Sequence, residues 1–127
     1  MSATILVIED HEDNRRIMRD LLTSAGYAVI EAVTAEKGVA AAKIHSPELI
    51  LMDIQLPDFD GYEATRRIKT DTEMKHIPII AVTSYALSGD DVKAFEAGCD
   101  AYVSKPFSPR KLLVKINEFL TKKNPVE

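Results

Sequence analysis

The sequence predicts an α/β domain, a five-stranded parallel sheet in the order 2-1-3-4-5 with helices on both faces. Three observations carry this expectation. Five short apolar runs recur along the 127 residues, each followed by a stretch of helical periodicity. The runs are apolar nearly throughout, as strands buried on both faces are. Breakers (Gly26, Pro47, Gly61, Pro78, Gly98 and Pro106) fall between the elements. Such alternation implies right-handed crossovers.

Taken in order, Thr4 to Ile8 (TILVI) is the first strand, ending in Glu9 and Asp10. A polar turn, His11 to Asn14, leads to a helix. Its inward positions are Ile17, Met18, Leu21, Leu22 and Ala25, with Arg15, Arg16, Arg19 and Asp20 opposite. Gly26 stops that helix. Tyr27 to Ala32 is the second strand. Thr34 caps a helix with a small-residue stripe, Ala35, Gly38, Val39 and Ala42, ending near His45 before Pro47. Glu48 to Asp53 is the third strand. Asp60 caps the third helix, with Glu63 completing a capping box, Ala64 and Ile68 inward, and Arg66, Arg67 and Lys69 outward. Pro78 precedes the fourth strand, Ile79 to Val82, which ends in Thr83. Ser88 caps a short helix carrying Val92 and Phe95, stopped at Gly98. Asp100 to Val103 is the fifth strand, ending at Ser104 and Lys105. Ser108 and Pro109 open the last helix, with stripe Leu112, Leu113, Ile116, Phe119 and Leu120; a frayed tail, Lys122 to Glu127, follows.

Composition excludes several classes. Hydrophobic residues make up 46%, too many for disorder, and 127 residues suit one domain. A net charge of −4 offers no footprint for nucleic acid or an anionic membrane. The single Cys99 gives neither a disulfide framework nor a thiolate metal cluster. No apolar stretch reaches the ~18 residues of a membrane span, and no signal peptide is evident. A cytoplasmic compartment is expected.

The chemistry gathers at the strand tips. The run Leu49 to Met52 ends abruptly in Asp53. Ligands of open α/β sheets bind at the carboxyl ends of strands, in the crevice at the switch point between strands 1 and 3. There Glu9, Asp10 and Asp53 become neighbours. Three carboxylates in one crevice raise one another's pKa, and a hard divalent cation relieves them. Oxygen-only ligands suit Mg2+ or Mn2+ rather than zinc. Thr83 adds a hydroxyl and Lys105 a positive charge, a set suited to a phosphoryl group. Asp53, the most central carboxylate, is the candidate nucleophile for an aspartyl phosphate.

These residues resemble the receiver domains of two-component response regulators, the CheY-like (flavodoxin-like) fold. The resemblance covers essentially the whole chain. It rests on Glu9–Asp10, on Asp53 with Pro57 and Asp60–Gly61, on Thr83–Ser84 and on Lys105–Pro106, in order at the right strand ends. HIPIIAVTSYA, GCDAY and SKPFS are similar to stand-alone receivers of the DivK type. Leu56 and Phe59 stand at loop positions where Met is common in that family.

The resemblance implies roles. Asp53 would take a phosphoryl group from a phosphohistidine. Asp10, Asp53 and the backbone carbonyl of Gln55 would hold Mg2+, with Glu9 acting through water. Thr83 and Lys105 would grip the phosphoryl oxygens, supported by Ser84 and by a cis Lys105–Pro106 bond, and Tyr102 would turn inward as the aromatic switch. The partners implied are a histidine kinase or histidine phosphotransferase. Downstream, a protein target would bind on the face of helix 4, strand 5 and helix 5. The expected unit is one receiver domain over residues 1–127, core about 3–121, without an output domain, a monomer or weak dimer, and no enzyme beyond its own phosphoryl transfer and dephosphorylation.

Other readings use the same residues. A receiver excised from a hybrid kinase, or a phosphate sink, keeps the fold. An aspartate-nucleophile phosphatase wants a second acid two residues after Asp53, where Gln55 stands. A flavin-binding electron carrier wants a Ser/Thr/Gly-rich loop after strand 1, where EDHEDN stands. His11, beside the acids, invites a metal reading, set against the plainer one of a loop residue. His45, His76 and Cys99 read as structural, and Tyr85 as either a surface aromatic or a shade over the site.

Overall fold

The computed structural model describes residues 3–83 and 90–123. Five strands, β1 (Thr4–Ile8), β2 (Ala28–Ala32), β3 (Leu49–Asp53), β4 (Ile79–Thr83) and β5 (Ala101–Ser104), form one parallel sheet in the order β2-β1-β3-β4-β5. The helices are α1 (Glu12–Ser24), α2 (Ala35–His45), α3 (Gly61–Lys69), α4 (Asp90–Ala97) and α5 (Pro109–Lys123). The predicted topology is the observed one.

The apolar runs are explained by two cores. Side chains alternate across a strand. Leu6, Ile8, Ile50, Met52, Ile79 and Ala81 therefore face one layer, which also holds Ala35, Ala42, Ala64, Ile68 and Ala94 from the helices. Ile5, Val7, Leu49, Leu51, Ile80 and Val82 face the other, against Met18, Leu22, Leu112 and Ile116. Register locks these sets together, with Ile5 beside Leu49 and Leu51 beside Ile80. Each fully buried Ile or Leu contributes about 1.5–3 kcal/mol, so the sheet centre holds the fold.

Several local expectations are corrected. Helix α1 begins at Glu12, inside the predicted turn, and Ile17 is more than half exposed. Met18 and Leu22, four apart, set the centre of the buried stripe, and Ile17 lies at its edge. In α4, Val92 and Phe95 point outward, while Ala94 and Ala97 are buried. The helix packs close to its neighbours with its small face, which periodicity alone does not distinguish from its large one. Ser88, its predicted cap, lies outside the described residues, as do residues 124–127 of the tail.

Lys69 also differs from expectation. Its Nζ turns inward at the amino-terminal edge of the sheet, donating to the carbonyl of Ile77 at 2.7 Å and pairing with Asp100 Oδ2 at 2.9 Å. The same Asp100 oxygen accepts from the Ile79 N–H at 2.8 Å. This clamp ties α3, β4 and β5 at the pole opposite the predicted site.

The β3–α3 connection is built tightly. Asp60 accepts from the Glu63 N–H, while Glu63 pairs forward with Arg66 and Arg67 rather than closing the capping box. Gly61 lies against β3, where a Cβ would stand 2.5 Å from the Asp53 carbonyl oxygen. Only glycine fits there. Asp58 accepts from the N–H groups of Ala35 and Glu36, fastening this loop to the start of α2.

Candidate functional site

The site lies at the carboxyl edge of the sheet, where β1, β3, β4 and β5 end. Glu9, directly after β1, is fully buried, and its N–H is held by the Ala32 carbonyl at 3.0 Å. Asp53, the last residue of β3, is 3% exposed. Lys105 reaches across from beyond β5, placing Nζ 2.7 Å from Glu9 Oε1 and 3.9 Å from Asp53 Oδ1. Thr83 closes β4 in a buried position, and its carbonyl accepts from the Lys105 N–H at 2.6 Å. The Lys105–Pro106 bond is cis, as expected.

The electrostatics divide the two buried acids. Burial pushes the Glu9 carboxyl up, but the hydrogen bond and charge of Lys105 outweigh it and hold Glu9 below the usual range. Burial pushes the Asp53 carboxyl up as well. The charge of Glu9 adds to it, Lys105 offsets only part, and Asp53 is raised to about 7. One lysine serves two buried carboxylates and stands closer to Glu9.

Asp10 completes the acidic set. Its Oδ1 is buried and no hydrogen bond reaches it. Ligand atoms of Glu9, Asp10, His11 and Asp53 all lie within 4.8 Å of one another. An unpartnered buried carboxylate oxygen beside two more acids fits a hard divalent cation. The predicted role of Gln55 concerns its carbonyl; its N–H donates to Asp53 Oδ1 at 3.2 Å. Tyr102, on β5 beside Ala81, is half-buried against the layer that contains Met52. Ser84 lies outside the described residues.

Two features escaped the sequence reading. Arg15, expected on the solvent face, turns back so that Nη1 donates to the carbonyls of Glu9 at 3.1 Å and Asp10 at 3.4 Å. Its Nε donates to Glu31 at 3.1 Å, and Arg19 holds the same carboxylate. The available signal was Glu31, a lone charge in an otherwise apolar second strand. The other is the closeness of His11, singled out beside the acids in the sequence: its Nδ1 stands 3.3 Å from Asp10 Oδ1 and 3.5 Å from Glu9 Oε2. Among the described residues, no helix is long and apolar enough to cross a membrane.

Comparison with known proteins agrees with this geometry. The model of the response regulator receiver domain matches residues 5–117. The chain is 41% identical over 120 residues to the polar-differentiation response regulator DivK of Brucella ovis, covering 94% of this chain and 98% of that protein. Among solved structures, a CheY-like receiver domain protein from Methanospirillum hungatei superposes with a TM-score of 0.90 at 34% identity, over 97% of both chains. The receiver domain of a sensor histidine kinase from Pseudomonas aeruginosa, with a magnesium ion coordinated in its active-site cleft, gives 0.88 at 34% identity, over 94% of this chain and 98% of that one. With its sheet order, its acidic crevice and these likenesses, the chain belongs to the response regulator receiver domains of two-component signalling systems.

Proposed function

We propose that the protein is a DivK-type response regulator that accepts a phosphoryl group on Asp53 in a phosphorelay. The observation that carries the reading is the buried crevice itself. Asp53, Glu9 and the unpartnered Asp10 oxygen meet one lysine there, short of positive charge. Asp10, Asp53 and the Gln55 carbonyl would hold Mg2+ (or Mn2+), with Glu9 acting through water. Bound there, the cation supplies the charge that keeps Asp53 ionised and neutralises phosphoryl oxygens.

In the transfer, an Asp53 carboxylate oxygen attacks the phosphorus of a phosphohistidine. The P–N bond breaks, a P–O bond forms, and the freed imidazole takes up a proton. Lys105 and the Thr83 hydroxyl then bind the phosphoryl oxygens. Hydrogen bonds to charged groups contribute about 1.5–3 kcal/mol each, so the two together supply about 3–6 kcal/mol. Carrying a two-state equilibrium from 1:99 to 99:1 needs ~5.5 kcal/mol, so this pair suffices for a nearly full switch only at its upper range. Tyr102 turning inward would report it to the α4–β5–α5 face, where a protein partner docks. A histidine kinase or histidine phosphotransferase supplies the phosphoryl group, in the cytoplasm.

The test is phosphotransfer from a labelled phosphohistidine donor, with and without Mg2+. A hydroxylamine-sensitive, Mg2+-dependent label that Asp53→Asn removes is expected; a label that survives Asp53→Asn overturns the assignment. Thr83→Ala should keep the label yet lose the shift in Tyr102 resonances, and the gain in partner affinity, that phosphorylation brings. Equal responses in mutant and parent would refute the switch.

A further inference from the structure

We propose that His11 is an additional ligand of the cation site, through Nδ1, and that it shifts the site's preference from Mg2+ toward borderline divalent cations such as Co2+. This rests on the reading of the acidic crevice as a cation site. It concerns a residue which that reading leaves without a task.

The geometry supports it first. In a near-ideal octahedral site with bonds of about 2.1 Å, neighbouring ligand atoms stand about 3 Å apart. Nδ1 of His11 lies 3.3 Å from Asp10 Oδ1, close to that edge length, and 3.5 Å from Glu9 Oε2, the carboxylate that would act through water. The Asp10 oxygen it faces is the buried one that no hydrogen bond satisfies. A cation between the imidazole and the carboxylates would satisfy both.

The backbone at His11 is held in place. The His11 N–H donates to Glu9 Oε2 at 3.2 Å, and its carbonyl accepts from the Arg15 N–H at 2.9 Å. His11 occupies the N-cap position of α1 in extended conformation, yet its side chain makes no capping bond. It is two-thirds exposed and fills no core. The His11 backbone is therefore held beside the acids, and its ring has no packing or capping duty.

The chemistry then gives the selectivity. Carboxylate, carbonyl and water ligands suit Mg2+, Ca2+ and Mn2+, whereas imidazole suits later first-row metals. Affinity along that row rises from Mn2+ through Co2+. Replacing one water of an all-oxygen site by a nitrogen gains little for Mg2+, which dehydrates reluctantly. It gains much for Co2+.

The experiment uses the full chain, stripped of metal, with His11→Ala and His11→Gln as variants. Isothermal titration with Mg2+ and with Co2+ gives the two affinities. Pulsed electron paramagnetic resonance of the Mn2+-loaded protein reads nitrogen coupling directly. Metal-free melting curves check that the variants fold. Both variants should lose about tenfold or more in Co2+ affinity, the scale on which ligand-shell changes act, while Mg2+ affinity moves less than about twofold. The parent should show a nitrogen coupling on Mn2+ that both variants lack. Parallel losses for Mg2+ and Co2+, unchanged Co2+ binding, or a parent without nitrogen coupling would each overturn the proposal. Asp10→Asn separates the two readings. If it abolishes Mg2+ binding while His11→Ala leaves Co2+ untouched, the cation site stands and the role of His11 falls. If the parent binds neither metal, both fall.

Discussion

Two lysines at opposite poles of one sheet show what distinguishes a clamp from a site. Lys69 meets one carboxylate and the Ile77 carbonyl, and Asp100 in turn accepts the Ile79 N–H. Donors and acceptors there are matched. Lys105 meets Glu9 closely and Asp53 at the limit of pairing, while an Asp10 oxygen goes without a hydrogen bond. The first arrangement is complete and stabilises. The second, among the described residues, gathers three carboxylates around one lysine and leaves one of their oxygens without a hydrogen bond. A shortage of positive charge at the end of a buried strand is the mark of function.

The sharpest way to break this comparison is Asp53→Asn. Phosphoryl labelling should vanish, and the metal-free protein should become more stable at pH 7.5, because one uncompensated buried charge is gone. Thermal unfolding beside the labelling assay reads both; a loss of stability would place Asp53 with the clamp residues.

Next come the lysines themselves. Lys69→Met removes the bond to the Ile77 carbonyl and the pairing with the exposed Asp100, which keeps the Ile79 N–H, and should cost about 1–2 kcal/mol regardless of Mg2+. Lys105→Met should also destabilise, by about 3–5 kcal/mol when metal-free, since it strands buried Glu9. Mg2+ should then raise its melting temperature by more than it raises the parent's. Equal Mg2+ responses in the two mutants would erase the distinction drawn between the poles.

Stability against pH separates the two buried acids. Asp53, raised in the folded state, binds more protons folded than unfolded between about pH 4 and 7. Stability should therefore fall as pH rises through that window. Glu9, lowered, acts with the opposite sign below its ordinary value of 4.5, where stability is lost as pH falls. Denaturant titrations from pH 3 to 8 should show this rise and fall without metal. Saturating Mg2+ should flatten the upper limb; an upper limb indifferent to Mg2+ would count against Asp53 as a ligand.

A comparably small effect belongs to Arg15→Met. Losing bonds to the Glu9 and Asp10 carbonyls should cost about 1–2 kcal/mol and weaken Mg2+ binding severalfold, read by calorimetry.

The strands and the places of Glu9, Asp10, Asp53, Thr83 and Lys105 at their ends were legible because each is fixed by a local rule, whereas the strand order came from known folds of the same alternation. An apolar run says strand, and a polar residue at its end says tip. Arg15 and Lys69 were not legible, since each is decided by where a long side chain turns after the elements pack, and the place of His11 beside the acids was legible but not where its ring points. Arg15 and Lys69 lie on helices whose charged faces read as solvated, and both fold back along their stems toward carbonyls. Val92 and Phe95 failed for the complementary reason: α4 offers two apolar faces, and packing chose the alanines. Gly61 was read as a breaker, whereas its work is to let α3 approach the Asp53 carbonyl.

The Lys105–Glu9 bond joins residues 96 positions apart. During synthesis at ~5–20 residues per second, the acidic pair therefore precedes its lysine by roughly 5–20 s. Throughout that interval the growing chain carries the carboxylates without the cation that partners them. A chain cut short of Lys105 would therefore leave the buried Glu9 carboxylate without its partner.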